Sequence, residues 1–192
     1  PDLFTHFMQP PCCEVNHIDV STDKKQTGHD WAKVVGDKLA GSILGNLADK
    51  GKAIFPELKV LSKIVPLVLQ DYSEEEIEEQ REIWHSPERV DLHFLDVVYA
   101  GKVASIYDRH EGGPVQAFVQ AFQFDPATVL VGLPSEISVE LGLYIKEKSP
   151  YKNTMIVQLS NDWFGYIPTI KIFEEGHYEA VVAKIRPGEG ER

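Results

Sequence analysis

The order of apolar segments between residues 128 and 159 constrains the fold of this chain more than any other feature. "TVLVGL" and "TMIVQLS" have the length and composition of short buried strands, and the amphipathic segment Ile137–Lys148 lies between them. A strand, a helix and a second strand over about thirty residues form a βαβ unit, whose right-handed crossover makes the two strands parallel. We therefore expect an α/β fold, in which a mixed β-sheet is flanked by helices and the βαβ unit lies in the C-terminal half.

Other segments predict the rest of the sheet and its helices. A capping box formed by Ser73 and Glu76 marks the start of one helix. Pro66 lacks an amide donor, which restricts its strand to an edge or a bulge. The predicted strands are Leu3–Met8, Lys59–Leu69 and "PVQAFVQAFQF", and further helices are predicted over Asp30–Leu47 and Val90–Asp108.

Composition limits the classes of partner. The 192 residues are enough for one domain with a real core, and 43% of them are hydrophobic. A net charge of -11 argues against nucleic acid as a partner, because phosphate binding needs a positive surface. No apolar run approaches the roughly 20 residues of a transmembrane segment, and the signal-peptide pattern of a basic segment followed by an apolar one is not visible at the start of the given sequence. The compartment stays open. The adjacent Cys12 and Cys13 are expected to be buried free thiols.

Polar side chains follow both strands of the βαβ unit. Glu136 comes just after the first strand, and Tyr166 follows the second in "NDWFGYIPT", where Gly165 and Pro168 restrict the backbone. Because the carboxyl ends of parallel strands lie on one edge of a sheet, we expect the two loops to converge there, where ligands usually bind. Carboxylate and phenol oxygens could bind a metal. Each residue also has a structural explanation, since acid suits the first turn of a helix and a tyrosine hydroxyl can anchor a loop.

The motifs of several enzyme classes are absent. Of seven histidines, His17 lies in the most polar segment, "EVNHIDV", and both a structural and a metal-binding or catalytic role stay open for it. No GxSxG, P-loop or GxGxxG sequence occurs, which argues against a triad hydrolase or a nucleotide-binding protein.

Three segments taken together resemble the neutral/alkaline (non-lysosomal) ceramidase-like family. "VGLPSEISVELGLYIKEKSP" is similar to the segment that begins V-G-L-P-G-E in that family, and "IVQLSNDWFGYIPTIKIFEEGHYEA" to its block with G-Y-x-P-T and G-x-Y-E. "CCEVNHIDV" is similar to its A-C-G-D-x-N-H-I turn, and the order is the same over most of the chain. Ser135 stands where the family usually has glycine, and Cys13 and Glu14 replace Gly-Asp.

The resemblance implies an amidase that binds one zinc through two histidines, a glutamate and a tyrosine. The glutamate corresponds to Glu136 and the tyrosine to Tyr166, which would be metal ligands, while Tyr178 would be a catalytic residue beside the substrate carbonyl. The substrate would be a small-molecule or lipid amide such as an N-acyl sphingoid base. The family's zinc histidines lie upstream of the "NHI" turn. Residues 1–192 would then be a single domain or the C-terminal portion of a larger catalytic domain, with the histidines supplied by an upstream segment or a second chain.

Two alternatives from other classes stay open. One is a non-catalytic binding or scaffold domain that keeps the fold without a complete zinc site. The other is an inactive fragment, which we expect to leave an apolar surface exposed, because half a domain leaves part of its core unpaired.

Overall fold

The computed structural model describes residues 6–46 and 57–192. Contacts divide them into two compact units. The smaller unit begins at Val15 and contains one helix, α1 (Gly28–Asn46). The larger unit comprises the segment up to Glu14 and residues 57–192, and it contains every other element of the described chain.

A mixed four-stranded sheet forms the centre of the larger unit. Its strands run in the order β1-β2-β3-β5, with antiparallel pairs β1–β2 and β2–β3 and a parallel pair β3–β5. The strand bounds are β1 (Lys59–Leu67), β2 (Val115–Asp125), β3 (Thr128–Gly132) and β5 (Asn153–Val157). Pro66 lies in β1 at the end of this strand order, as its missing amide donor requires. The expected α/β class with a mixed sheet is confirmed, as is the parallel βαβ unit.

Five helices and a second, two-stranded sheet complete this unit. The helices are α2 (Glu74–His85), α3 (Phe94–His110), α4 (Val139–Lys148), α5 (Ile170–Glu175) and α6 (Tyr178–Val182). The small sheet pairs β4 (Glu136–Ile137) with β6 (Tyr166–Ile167) in parallel. One core joins helices to both sheets: Ile106 of α3 and Leu141 of α4 cluster with Leu67, Ala117 and Ile167.

Local hydrogen bonds explain the ends of two predicted helices. The Ser73 hydroxyl accepts from Glu76 N–H at 3.2 Å, so α2 begins at the predicted capping box. The helix predicted over Val90–Asp108 begins later than expected, at Phe94. Residues 87–91 instead form a 3₁₀ turn, and the imidazole of His93 caps α3 by accepting from Leu95 N–H.

One predicted boundary near the site and one predicted strand also differ from the structure. The helix predicted from Ile137 starts at Val139, because residues 136 and 137 pair with β6. The periodic pattern of apolar residues predicts a helix that includes residue 137, but pairing with β6 makes this residue part of a strand. In the predicted strand Leu3–Met8, residues 6–8 are irregular, and residues 3–5 lie outside the described chain.

Candidate active site

The loops after β3 and β5 meet in the small sheet. Glu136 is the register partner of Tyr166, and Ile137 is the partner of Ile167. Glu136 N–H donates to the Gly165 carbonyl at 3.1 Å, and Ser138 N–H donates to the Ile167 carbonyl at 3.1 Å. The predicted convergence of these two loops is thus confirmed, and it results from backbone pairing.

Unusual backbone conformations bring the two loops into register. Ser135 has φ 66° and Gly165 has φ 112°, both in the region that favours glycine. Ser135 is fully buried, and its hydroxyl oxygen accepts from Phe164 N–H at 2.9 Å, which joins one loop to the other. Glycine adopts such a φ without strain, whereas here a serine adopts it and adds a hydrogen bond.

An aromatic cluster surrounds the two oxygen-bearing side chains. The indole Nε1 of Trp163 donates to Glu136 Oε1 at 3.1 Å, which orients the carboxylate. The Tyr166 ring packs edge-on against the Tyr178 ring, with 5.9 Å between centroids. Tyr178 in turn stacks on Phe94 at 6.4 Å. Glu136, Tyr166 and Tyr178 thus form one contiguous group.

The N-terminal segment is fastened to the small sheet through a buried glutamine. Gln158, which is 2% exposed, accepts through Oε1 from Ile137 N–H at 2.8 Å and from Cys12 N–H at 3.3 Å. Cys13 N–H donates to the Ile137 carbonyl at 3.1 Å. The Glu14 carboxylate accepts from Val139 N–H at 3.1 Å, at the start of α4. These bonds carry Cys13 into the immediate neighbourhood of the site.

Burial and neighbouring acids dominate the electrostatics at the centre of this group. Burial, with the Glu136 carboxylate as the next cause, raises the pKa of Tyr166 to about 12. Burial likewise raises the pKa of Cys13, and the charges of Glu14, Glu179 and Glu136 add to the effect. Cys12 and Cys13 are both free thiols, and only Cys13 is fully buried. A positive charge at this point would oppose these shifts, because it favours the deprotonated form of each group.

The oxygen donors fit two positions of a zinc shell. Glu136 offers a carboxylate and its register partner Tyr166 a phenol, in surroundings that a cation would stabilise. Within residues 6–46 and 57–192, no group of three histidine, cysteine, aspartate or glutamate side chains could hold a metal ion. Glu136 and Tyr166 lie side by side, and their role as metal ligands stays a prediction from the resemblance.

A pocket of about 410 Å³ opens beside the two tyrosines. One wall is the face of α3 that carries Val97, Val98, Gly101 and Ser105. The rest of the lining includes Trp84, Trp163, Tyr166, Tyr178, Arg109 and Lys184. The pocket is thus largely aromatic and aliphatic, with cationic side chains in its wall, and it can receive an extended apolar group next to Tyr166 and to Trp163, the hydrogen-bond partner of Glu136.

Sequence reasoning found only part of this constellation. The sequence patterns do not single out Trp163. Its one signal in the sequence is an indole three residues before Tyr166 in the same "NDWFGYIPT" segment. Arg109 and Lys184 gave no signal, because they come from segments far apart in the chain. His17 is exposed in the smaller unit, where its carbonyl accepts from Trp31 Nε1 at 3.4 Å, and both of its proposed roles stay open.

The sheet order and the paired loops define a ceramidase-like α/β fold. The solved structure of neutral ceramidase from Pseudomonas aeruginosa matches 90% of this chain with a TM-score of 0.60 and 14% sequence identity. The chain covers 32% of that protein, about a third of its length, and at this identity the likeness shows the fold alone. No family model matches the chain, and no curated protein matches it by sequence.

Among the described helices, none is long and apolar enough to cross a membrane.

Proposed function

We propose that this chain forms part of a zinc-dependent amide hydrolase acting on an N-acyl substrate, with a lipid amide as the substrate class. Its likeness in fold to neutral ceramidase supports this proposal. The observation that carries it is the pairing of Glu136 with Tyr166, beside a pocket that Tyr178 also lines.

In this proposal Tyr178 stabilises the charge that develops on the carbonyl oxygen. Its ring is held between Phe94 and Tyr166, and it is 41% exposed on the pocket side of the cluster. A phenol in a fixed position can donate a hydrogen bond to the oxygen of the tetrahedral intermediate, at little cost of reorganisation. The aliphatic face of α3 and the indole rings would bind the acyl chain and exclude water from the reacting amide.

Glu136 and Tyr166 would hold the metal. When bound, zinc supplies Lewis-acid polarisation of the amide carbonyl and lowers the pKa of the attacking water toward ~7. Trp163 fixes one carboxylate oxygen of Glu136 through its indole N–H, the usual way in which an outer hydrogen bond orients a ligand. Backbone pairing fixes the distance between the strands that carry the two ligands.

The imidazoles of the site would come from an upstream segment or a second chain. Zinc in a catalytic site normally takes three protein ligands and keeps one open position, and nitrogen donors are common among them. An association of this kind is also favoured by the apolar side chains that β1 exposes, Val60, Leu61 and Ile64, which are 54%, 73% and 57% exposed.

Zinc content and amide hydrolysis test the proposal together. In a preparation that includes the upstream segment or second chain, after chelation and dialysis back into zinc, we expect about one zinc per chain, and release of fatty acid from an N-acyl sphingoid base. Glu136→Gln and Tyr166→Phe should each lose both, while Tyr178→Phe should keep zinc and lose hydrolysis. Glu147→Gln and Tyr144→Phe make the same chemical changes on exposed positions of α4 and should change neither. Zinc bound equally by both ligand variants would contradict the assignment.

A non-catalytic binding domain is the second candidate, favoured by one observation. The described residues include no group of three histidine, cysteine, aspartate or glutamate side chains that could hold a metal ion. Under this alternative the protein binds no zinc and hydrolyses no amide, yet still takes an acyl ligand in the pocket, and Tyr166→Phe leaves that binding unchanged.

A further inference from the structure

Of the three cations that line the pocket, Lys102 lies over two tyrosine rings, whereas Lys184 and Arg109 have no acidic partner among the described residues. Lys184 and Arg109 both lie in its wall, and Lys184 Nζ is 5.6 Å from the centroid of the Trp163 ring. Burial lowers the pKa of Lys184, and the neighbouring charge of Arg109 lowers it further. Neither side chain forms an ion pair within the described part of the chain. Like charges are thus held together at the edge of the candidate site.

The acidic residue next to Arg109 in α3 already has other cationic partners. Asp108 lines the same pocket, but its carboxylate pairs with Arg81 at 2.8 Å and lies 3.4 Å from His85 Nε2. In a chain with 30 acidic and 19 basic residues, two neighbouring cations without an acid are not explained by overall composition. Lys184 is partly buried, and a desolvated cation is costly without a counter-charge, so a ligand that supplies one gains affinity there and from the exposed Arg109 beside it.

An unsatisfied hydroxyl lies on the same face of α3. Ser105 Oγ is buried and has no hydrogen-bond partner among the described residues. It is four positions before Arg109, on the same side of the helix, and it too lines the pocket. Most buried polar atoms have a partner, so an orphan hydroxyl beside two cations marks a place for an acceptor atom.

We propose that the pocket binds acyl amides whose amine half carries a carboxylate, with Lys184 and Arg109 binding that carboxylate and the Ser105 hydroxyl donating to a ligand oxygen. Lys184 lies over Trp163, whose indole N–H binds Glu136, so the anion would lie next to the reacting end of the pocket. The acyl chain would then lie against Val97, Val98 and Trp84. A guanidinium suits a planar carboxylate, because it can donate two parallel hydrogen bonds. This substrate class rests on the proposed amide-hydrolase function.

Binding without turnover tests this specificity. N-lauroylglycine and N-lauroylethanolamine share an acyl chain and an amide and differ in a carboxylate against a hydroxyl group. Their affinities for the full chain can be measured by tryptophan fluorescence, since Trp84 and Trp163 line the pocket, and checked by calorimetry. We expect N-lauroylglycine to bind at least about tenfold more tightly, and the preference to fall in raised salt.

Matched variants assign the preference to these cations. Lys184→Met and Arg109→Gln should each bring the two affinities close together with little effect on N-lauroylethanolamine, whereas Lys184→Arg should keep the preference. Lys171→Met and Arg186→Gln remove exposed cations outside the pocket lining and should leave it unchanged.

Three outcomes would overturn the inference: equal affinities for the two amides, a preference that survives both pocket variants, or displacement of both amides alike by inorganic phosphate. Failure of zinc binding or hydrolysis with the preference intact would instead overturn only the proposed function.

Discussion

Replacing Ser135 by alanine and by glycine separates two contributions to the stability of the loop that precedes Glu136. Both substitutions remove the acceptor of the Phe164 N–H bond, and leaving that buried donor unsatisfied costs about 1–3 kcal/mol. The two variants differ in the cost of the backbone conformation, because φ 66° costs an L residue about 1–2 kcal/mol and costs glycine almost nothing. We therefore expect Ser135→Ala to lower the free energy of unfolding by about 1–3 kcal/mol, and Ser135→Gly to be about 1 kcal/mol more stable than the alanine variant.

Urea denaturation of the two variants measures this difference directly. Ser105 in α3 is a suitable control, because its hydroxyl has no partner among the described residues and its backbone is helical. There the order should reverse, with alanine about 1 kcal/mol more stable than glycine. If alanine at position 135 were as stable as glycine while the control behaved as expected, left-handed strain would not explain the conformation of this loop.

Three further predictions follow from backbone conformation and buried ionisable groups. Gly165→Ala places a side chain at φ 112° and should lower the free energy of unfolding by about 1–3 kcal/mol in the same urea assay; no loss would contradict the argument from strain. Burial lowers the pKa of Lys102 from 10.5 to about 8, an effect that Glu76 partly offsets, so its protonation is less favourable in the folded than in the unfolded state. This penalty is fully present below pH 8 and is relieved as the pH rises toward 10.5. Lys102→Met should therefore be more stable than the unsubstituted protein at pH 7, by at most about 3 kcal/mol, and this advantage should shrink up to pH 10. An advantage that does not change with pH would exclude this cause. Tyr166 should ionise with a pKa of about 12 in an ultraviolet titration from which the signal of Tyr166→Phe is subtracted. Glu136→Gln should lower that pKa, because it removes the carboxylate that opposes the phenolate. An unchanged pKa would mean that the two groups are not coupled.

Local signals were sufficient for much of the fold. The capping box at Ser73 predicted the start of α2, and alternation predicted β2, since both features depend on residues close together in the chain. The βαβ pattern also predicted that Glu136 and Tyr166 approach each other, because strand direction follows from the crossover.

The errors and omissions have a common physical origin in non-local contacts. β4 is two residues long and exists only because β6 lies beside it, so the periodicity around Ile137 indicated a longer helix. Lys184 reaches the pocket from beyond α6, and its nearness to Arg109 depends on how α3 and α6 pack. The zinc role of Glu136 and Tyr166, the catalytic role of Tyr178 and the extent of the domain stay predictions that rest on the resemblance.

The hydrogen bonds of Gln158 have a consequence for the order in which the molecule folds. Its side chain joins Cys12 to the small sheet across 146 positions, and the Glu189 carboxylate accepts from Val68 N–H across 121. Such contacts require closure of very long loops, so they form after local helices and hairpins. During synthesis the pocket beside Glu136 is completed only after Lys184, the most C-terminal residue of its lining, has left the ribosome. A nascent or truncated chain with its sheet already formed would therefore still lack an ordered pocket.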